Sequence, residues 1–391
     1  MLEIREPADG DREDIAAVLS LSFNGVVRPE DIVLEGTLCA YDAGRTVGTA
    51  LAVPFGQWFG GRCIPCAGIA GVAVLPEHRG QQVASMLMRE LMSARRRQGD
   101  VVSALYPANS GLYRQLGYEF AGLMPEFEVR VTDLPRSSGE VHEMRREDLP
   151  DVMGCFSRFA SHHNGPVQSA QPLRWERHVL AHREEGSHQR TVLARSAEGD
   201  VDGYASYFLG RWEQEGYLLN CKHLVALTPV ALRTLLGHFR RFENSASRFA
   251  WRGAPGTVPE SLAMSTTGLS MVPRLRRWML RVLDVARSLE ARGYATSSAR
   301  AVIDIVDDAL PVNSGRWMVE VEDGKGTVTK LGAPATGAEN PLPIGLFSAL
   351  FSGLVTPWDL VLAGALSHDD ARLTALSSLF AGPVPWMPDF F

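Results

Sequence analysis

The stretch that most constrains the fold is a strand that ends in a proline-containing turn and continues directly into an amphipathic helix. Residues 66–75 form an apolar run rich in glycine and valine, which predicts a buried strand. A turn at 76–80 interrupts it, and the residues that follow have the spacing of one helical face. That face consists of Val83, Met86, Leu87, Leu91 and Ala94. Because the first amides of a helix lack partners and attract anions, this unit is a candidate phosphate-binding site, although many strand–turn–helix units bind no phosphate.

Strand patterns and composition divide the chain into three units. The first contains a predicted hairpin turn at 42–45 and ends in a polar stretch at 134–139. The third begins near Ser288 and has predicted strands at 301–306, 317–321 and 327–331. Apolar helices follow these strands, and strands before helices are typical of an α+β domain.

The overall composition excludes several classes of protein. The chain has 391 residues, of which 45% are hydrophobic and 21% charged, and this excludes an intrinsically disordered protein. The formal net charge of −6 argues against a surface that binds polyanions, so we predict no nucleic-acid partner. Five cysteines are too few and too scattered for a disulfide framework, and their odd number favours a reducing compartment.

Two spacings in the sequence are compatible with metal binding. Cys63 and Cys66 could share a zinc ion, but no second pair of ligands follows at a zinc-ribbon or zinc-finger spacing. His178 and His182 are four residues apart, but charged residues on both sides indicate an exposed helix. We therefore predict no metal site.

No segment predicts export or membrane insertion. The first seven residues lack the apolar core of a signal peptide. Proline and aspartate residues interrupt the longest apolar stretch, 342–366, in which Thr356 and Pro357 have the pattern of a helix cap followed by proline at the first helical position. We expect two buried helices there, no membrane partner and a cytoplasmic protein.

Several motifs resemble those of known acetyltransferases. Residues 79–84, Arg-Gly-Gln-Gln-Val-Ala, are similar to the acetyl-CoA signature Arg/Gln-x-x-Gly-x-Gly/Ala of the GNAT N-acetyltransferase superfamily. Residues 113–118 resemble the Tyr-x-x-x-Gly-Tyr segment of the Eis (enhanced intracellular survival) family within it, and residues 278–295 resemble the start of that family's third domain. The chain also ends on an aromatic residue, Phe391, as that family does. One position departs from the signature, because Gln82 replaces a glycine that lets the backbone approach the pyrophosphate.

The resemblance implies an architecture. The fold class is α+β (mixed α/β), with two tandem GNAT-like domains followed by a sterol-carrier-protein-like domain. The expected bounds are 1–135 for the N-terminal GNAT acetyltransferase domain, 136–286 for a degenerate central GNAT-like domain and 287–391 for the C-terminal domain. The family also implies a homo-oligomer, specifically a homohexamer.

The resemblance further implies a co-substrate site and two catalytic groups. Acetyl-CoA would be the acyl donor, without a metal. Its binding residues would be Val72, Ala73, Val74, Arg79, Gly80, Gln81, Gln82, Val83, Ala84 and Asn109. Tyr113 would protonate the departing CoA thiolate, and the Phe391 carboxylate would accept the proton of the substrate amine. The simpler interpretations are a core tyrosine with a satisfied hydroxyl and a frayed chain end.

The acceptor is expected to be a small-molecule amine. By resemblance, Phe23, Asn24 and Arg277 would line its pocket, where family members that acetylate polycations have acidic residues. Arginine near this site would repel a polyamine, which favours a neutral or anionic amine. These arginines could instead form a solvated surface or a subunit contact. The alternative function is a GNAT-fold protein that has lost acyl transfer and binds a ligand or lipid, or performs another reaction in the same cleft.

Overall fold

Three β-sheets and their covering helices make up the described part of the computed structural model, which comprises residues 2–169, 175, 189–213, 216–255, 270–271, 275–335 and 341–391. Within these residues the strands are β1 (Glu3–Arg5), β2 (Thr37–Asp42), β3 (Arg45–Phe59), β4 (Arg62–Val74), β5 (Val102–Leu105), β6 (Glu119–Met124), β7 (Glu126–Arg130), β8 (His142–Glu143), β9 (Val167–Gln168), β10 (Arg190–Arg195), β11 (Val201–Glu213), β12 (Gly216–Ala226), β13 (Ala246–Arg252), β14 (Ser270–Met271), β15 (Arg276–Val282), β16 (Ser298–Val306), β17 (Gly315–Glu322), β18 (Lys325–Gly332) and β19 (Leu342–Pro343). The α-helices are α1 (Arg12–Phe23), α2 (Val83–Gln98), α3 (Ser110–Gln115), α4 (Leu149–Ala160), α5 (Pro229–Arg240), α6 (Val285–Ala291), α7 (Ile344–Ser352), α8 (Pro357–Leu362) and α9 (Asp370–Phe380).

The first sheet has the order β1-β2-β3-β4-β5-β15-β6, with β9 paired to β3. The predicted turn between β2 and β3 is confirmed, since Ala43 and Gly44 both have positive φ, as a tight hairpin requires. α2 packs on this sheet and ends at Gly99, whose φ of 109° is typical of a helix C-cap. The helix buries Val83, Leu87, Met88, Leu91 and Met92. The predicted face was wrong at Met86, which is 39% exposed.

The second sheet has the order β14-β7-β13-β12-β11-β10-β8. β7 enters it from the first unit of the chain, whereas β15 returns from the second unit to pair with β5 and β6 of the first sheet. The two sheets therefore exchange strands, and each is completed by a segment close to a predicted domain boundary.

The third sheet, in the order β18-β17-β16-β19, is covered by α7, α8 and α9. Its three long strands agree with the sequence prediction, and Asp323 and Gly324 form the turn of the last hairpin with positive φ. The Thr356 hydroxyl accepts the amide of Asp359 at 3.1 Å, and Pro357 follows at the first helical position, which confirms the predicted cap. Among the described residues no helix is long and apolar enough to cross a bilayer.

After α9 the chain leaves the third sheet and returns to the first two. Residues 385–388 are buried, and a short parallel bridge joins Trp386 to Leu123 of β6. Asn164 fixes the same segment from the other side, because its carbonyl accepts the Trp386 amide at 2.9 Å. The C-terminus is therefore packed between the sheets.

Candidate active site

The first sheet has a gap between β4 and β5, which we call the first splay. The two strands pair in parallel only from Cys66 to Gly68 of β4. From residue 69 to residue 74, no described strand pairs with β4 on that side. Apart from the Val74 carbonyl, which bonds Arg79, the backbone groups along this edge have no partner on a described neighbouring strand and can bond a ligand that lies between the strands.

A bulge in β4 lies at the same level. Gly71 and Val72 together face the single residue Ala50 of β3. Gly71 has a φ of 58°, which a bulge of this kind requires and glycine accepts without steric cost. The bulge therefore changes the direction of β4 next to the first splay.

The backbone beyond the bulge alternates in direction. The Ala73 carbonyl lies on the β3 side, 3.2 Å from the position that a Cβ on Gly48 would take. The Val74 carbonyl accepts a 3.1 Å bond from Nε of Arg79. Since successive residues of a strand direct their amides to opposite sides, Val72 and Val74 present main-chain groups to the splay, whereas Ala73 faces β3.

The turn after β4 has the shape of an anion-binding loop. Gly80 and Gln82 both have positive φ, 78° and 62°. Gln82 is the N-cap of α2, so the amides of Val83 and Ala84 lie in the first helical turn, where they have no partner within the helix. The exposed Gln81 side chain donates to the Glu77 carbonyl at 3.2 Å. Residues 79–84 thus have a loop shape compatible with anion binding, with Gln82 in a glycine-like conformation.

Tyr113 is buried on the short helix α3. Asn109 caps this helix, because its side-chain oxygen accepts the Gly111 amide at 3.0 Å. The Tyr113 ring makes an edge contact with Tyr118 at 5.9 Å between centroids, and burial raises the pKa of Tyr113 above its usual value. Among the described residues its hydroxyl has no hydrogen-bond partner, unlike that of Tyr118, which bonds to Ser103 at 2.8 Å.

Phe391 lies at the base of the first splay. Its ring packs against Phe55 of β3 at 5.0 Å between centroids and against Tyr106, directly after β5, at 5.9 Å. A Cβ on Gly68, the last β4 residue that pairs with β5, would clash with the Phe55 ring and come within 2.9 Å of the Phe391 ring, so only glycine fits there. Among the described residues nothing forms an ion pair with the terminal carboxylate.

The residues just before Phe391 are held by side chains that the sequence analysis did not single out. The Tyr106 hydroxyl donates to the Asp389 carbonyl at 2.8 Å, and Nη1 of Arg252 donates to the Pro388 carbonyl at 2.7 Å. Nε2 of His223 lies 2.9 Å from a carboxylate oxygen of Asp389. These contacts join residues more than 130 positions apart, so no local sequence signal could have indicated them.

A mainly apolar cavity adjoins the terminus. Among the described residues, its walls include the rings of Phe55, Trp175 and Phe391, the side chain of Val167, and the polar groups of His223 and Asp389. His223 and Asp389 are paired with each other, and the rings make the rest of the described lining mainly apolar.

The predicted acceptor residues lie on both sides of the first splay. Phe23 and Asn24 end α1, which packs on β3 and β4, and both are exposed. Arg277 is exposed on β15, beyond β5, with its guanidinium 5.7 Å from the centre of the Phe120 ring. The neighbouring Arg276 lies over Phe390 at 4.8 Å. Phe23 and Asn24 at the end of α1 are therefore not in direct contact with Arg277 on β15.

The candidate metal ligands have ordinary positions where they can be described. Cys63 and Cys66 are unpaired thiols on β4, and burial raises the pKa of both. His178 and His182 lie outside the described residues.

Comparison with known proteins agrees with this geometry. An acetyltransferase (GNAT) domain family matches residues 3–121, a second acetyltransferase (GNAT) domain family matches residues 169–282, and a sterol carrier protein domain family matches residues 285–388. The N-acetyltransferase Eis of Mycobacterium tuberculosis is 24% identical over 408 residues, which cover 97% of this chain and 96% of that protein. The chain thus contains two GNAT acetyltransferase domains and is similar to the N-acetyltransferase Eis over nearly its whole length. The first two sheets accordingly belong to two GNAT domains, and the third sheet belongs to a sterol-carrier-like domain.

Two further relatives support the assignment of this Eis-like enzyme. An uncharacterized N-acetyltransferase of Streptomyces avermitilis is 28% identical over 397 residues, which cover 93% of this chain and 90% of the relative. The crystal structure of a GCN5-related N-acetyltransferase from Anabaena variabilis superposes with a TM-score of 0.91 at 26% identity, and the match covers all of both chains. GNAT enzymes use acetyl-CoA, and the open edge of β4 together with the loop at 79–84 fits such a co-substrate.

Proposed function

We propose that this protein transfers the acetyl group of acetyl-CoA to a small-molecule amine, with Tyr113 as general acid and the Phe391 carboxylate as proton acceptor. The observation that carries the proposal is the packing of Phe391 against Gly68, where β4 and β5 diverge. A carboxylate fixed at the base of the cleft is within the domain that would bind the acyl donor. A carboxylate at this position would lie beside the acyl donor, where it could orient a bound amine and accept its proton.

The co-substrate would be held by main-chain groups. The amides of Val72 and Val74 face the splay, and those of Val83 and Ala84 begin α2. Arg79 would add a positive charge near the pyrophosphate, although its Nε is already bonded to the Val74 carbonyl. Acetyl-CoA supplies an activated thioester when it is bound.

Tyr113 is suited to donate a proton. Because burial raises its pKa above the usual value of 10, the phenol is protonated throughout the neutral range. Its hydroxyl has no hydrogen-bond partner among the described residues and would be available to the departing sulfur. The α-carboxylate of Phe391 is a weak base, so its contribution is chiefly to orient the amine and stabilise the developing positive charge.

The acceptor we propose is a neutral or anionic amine with an apolar body. Arg276 and Arg277 would repel a polycation, while the rings of Phe55 and Trp175 offer an apolar wall beside the terminus. A thiol-release assay with acetyl-CoA and a panel of aromatic amines, amino acids and aminoglycosides tests this. Turnover confined to the aminoglycosides would contradict it.

The test of mechanism is Tyr113→Phe. We expect kcat to fall at least about tenfold, with CoA affinity unchanged by calorimetry, because the proton is needed only as the thiolate forms. Tyr118→Phe is the matched control, since it removes a buried hydroxyl that is already bonded to Ser103 and should keep kcat. Unchanged turnover in Tyr113→Phe would remove Tyr113 from the mechanism. Absence of CoA binding in the wild-type protein would favour the alternative of a GNAT fold without acyl transfer.

A further inference from the structure

The second sheet repeats the open geometry of the first. β12 and β13 pair in parallel from Tyr217 to Cys221 of β12, and no described strand pairs with residues 222–226 on that side. A capped helix follows, because Thr228 accepts the Ala231 amide at the start of α5. This gap, the second splay, corresponds to the place where the first domain would bind its co-substrate.

The end of the chain lies at the second splay. Arg252, the last residue of β13, donates to the Pro388 carbonyl at 2.7 Å. His223, two residues beyond the last β12 pair, bonds Asp389 at 2.9 Å. Two side chains at the second splay thus hold the last residues of the chain.

The His223 ring is fixed from both of its nitrogens. It is buried, and its Nδ1 lies 3.2 Å from the Tyr204 hydroxyl. The Asp389 carboxylate can only accept when ionised, so Nε2–H of His223 donates to it, while Nδ1 shares a hydrogen bond with the Tyr204 hydroxyl. Because the buried His223 ring is bonded at both nitrogens, it holds Asp389 of the tail in one position.

The same tail residue is also held from the first sheet. The Asp389 side chain bonds His223, while its carbonyl accepts from Tyr106 at 2.8 Å. Tyr106 directly follows β5, and the Phe391 ring contacts it. Asp389 is two residues before the terminal carboxylate, so both sheets together set where the carboxylate lies.

We propose that the second splay is a docking site for the chain's own C-terminus and that His223, through Asp389, is a positioning residue for the Phe391 carboxylate. The central GNAT domain then serves the first domain by holding the chain end. The positioning role rests on the proposed function, whereas the docking can be tested without any substrate.

The test compares His223→Phe with His223→Gln in the full chain. Phenylalanine keeps a ring but loses the donor to Asp389, whereas glutamine restores a neutral donor. Asp389→Ala removes the acceptor from the partly exposed tail and avoids a change in the buried ring. His238→Phe is the matched control, because His238 bonds Tyr207 at 3.0 Å in the same domain and belongs to α5 rather than to the second splay.

Two readouts separate docking from catalysis. The first is the release of Phe391 by carboxypeptidase, and the second is kcat, with the KM for acetyl-CoA as reference. We expect His223→Phe and Asp389→Ala to release Phe391 about tenfold faster or more and to lose at least about tenfold in kcat at unchanged KM, since misplacing a reacting group by about 1 Å can cost two orders of magnitude. His223→Gln and His238→Phe should resemble the wild type in both.

The contrary outcomes differ in what they overturn. Wild-type protection of the terminus in both His223→Phe and Asp389→Ala would overturn the docking site and leave the proposed acetyl transfer untouched. A released terminus with normal kcat would overturn the positioning role and, with it, the catalytic role of the Phe391 carboxylate.

Discussion

At the scale of single residues, Gln82 is the most informative position of the loop at 79–84. Its φ of 62° and ψ of 13° are left-handed, a conformation that costs an ordinary residue about 1–2 kcal/mol. The related GNAT signature has glycine there, so the loop keeps the glycine shape although the side chain has changed. The loop shape is therefore determined by the neighbouring turn and helix, and Gln82 adapts to it.

This strain predicts the effect of Gln82→Gly. The substitution relieves the left-handed backbone but adds freedom to the unfolded chain, so we expect a net gain of about 0.5–1 kcal/mol in the free energy of unfolding. Removing the side chain also lets the backbone approach the pyrophosphate, and CoA should bind several-fold more tightly by calorimetry. Gln81→Gly, at a neighbouring residue without positive φ, is the control and should show neither gain. Weaker CoA binding in Gln82→Gly would mean that the glutamine itself contacts the ligand.

At the scale of elements, β15 joins domains that are distant in sequence. It pairs with β5 and β6 in the first sheet, and its Arg281 forms a fully buried ion pair with Asp307, which follows β16 of the third sheet. Both oxygens of Asp307 accept from Nη2 of Arg281 at 2.8 Å, and Asn313 donates to the same carboxylate at 2.9 Å. Such a network fixes geometry more than it adds stability, but breaking one side leaves a buried charge.

We therefore expect Asp307→Asn to be severely destabilising. The amide would direct hydrogens toward the guanidinium, and loss of one partner of a buried pair costs about 3–5 kcal/mol. Glu320→Gln is the control, because it breaks the exposed Arg300–Glu320 pair, worth about 1 kcal/mol or less. Urea unfolding followed by tryptophan fluorescence measures both. Equal, small losses in the two variants would show that Arg281 finds another partner.

Local sequence signals predict single elements, whereas contacts between distant elements cannot be predicted from them. The strand, turn and helix of residues 62–98 were predictable because their signals are local: apolar alternation, a proline turn and a helical face. The exposure of Met86 was missed, because a helix with methionine at 86, 88 and 92 has two plausible apolar faces and only packing selects one. The return of β15 to the first sheet and the bonds of His223 and Arg252 to the tail were not predictable, since they depend on contacts between distant segments.

At the scale of the whole molecule, the quaternary state is still a prediction from the family resemblance. We expect a closed symmetric homohexamer, with a mass six times the 42.8 kDa of the chain. Light scattering at micromolar concentration measures it directly. A mass equal to that of one chain would contradict the prediction.

The path of the chain after α9 determines where the carboxylate of Phe391 lies. The third domain ends at α9, and the tail then returns to the base of the first splay, so chain length fixes the position of the Phe391 carboxylate. Deleting Phe391 would withdraw the carboxylate by up to about 3.5 Å, and a C-terminal tag would replace it with a neutral amide. We expect both changes to lower kcat by at least about tenfold, with the fold and CoA affinity retained.

The same tag at the N-terminus is the control, because β1 lies at the outer edge of the first sheet and the chain start there is separated from β4 by two strands. Turnover of the two tagged proteins, measured beside circular dichroism and CoA calorimetry, decides the question. Normal kcat with the C-terminal tag would show that the terminus is only structural. Loss of kcat in the C-terminally tagged protein alone would show that turnover requires a free carboxylate on Phe391.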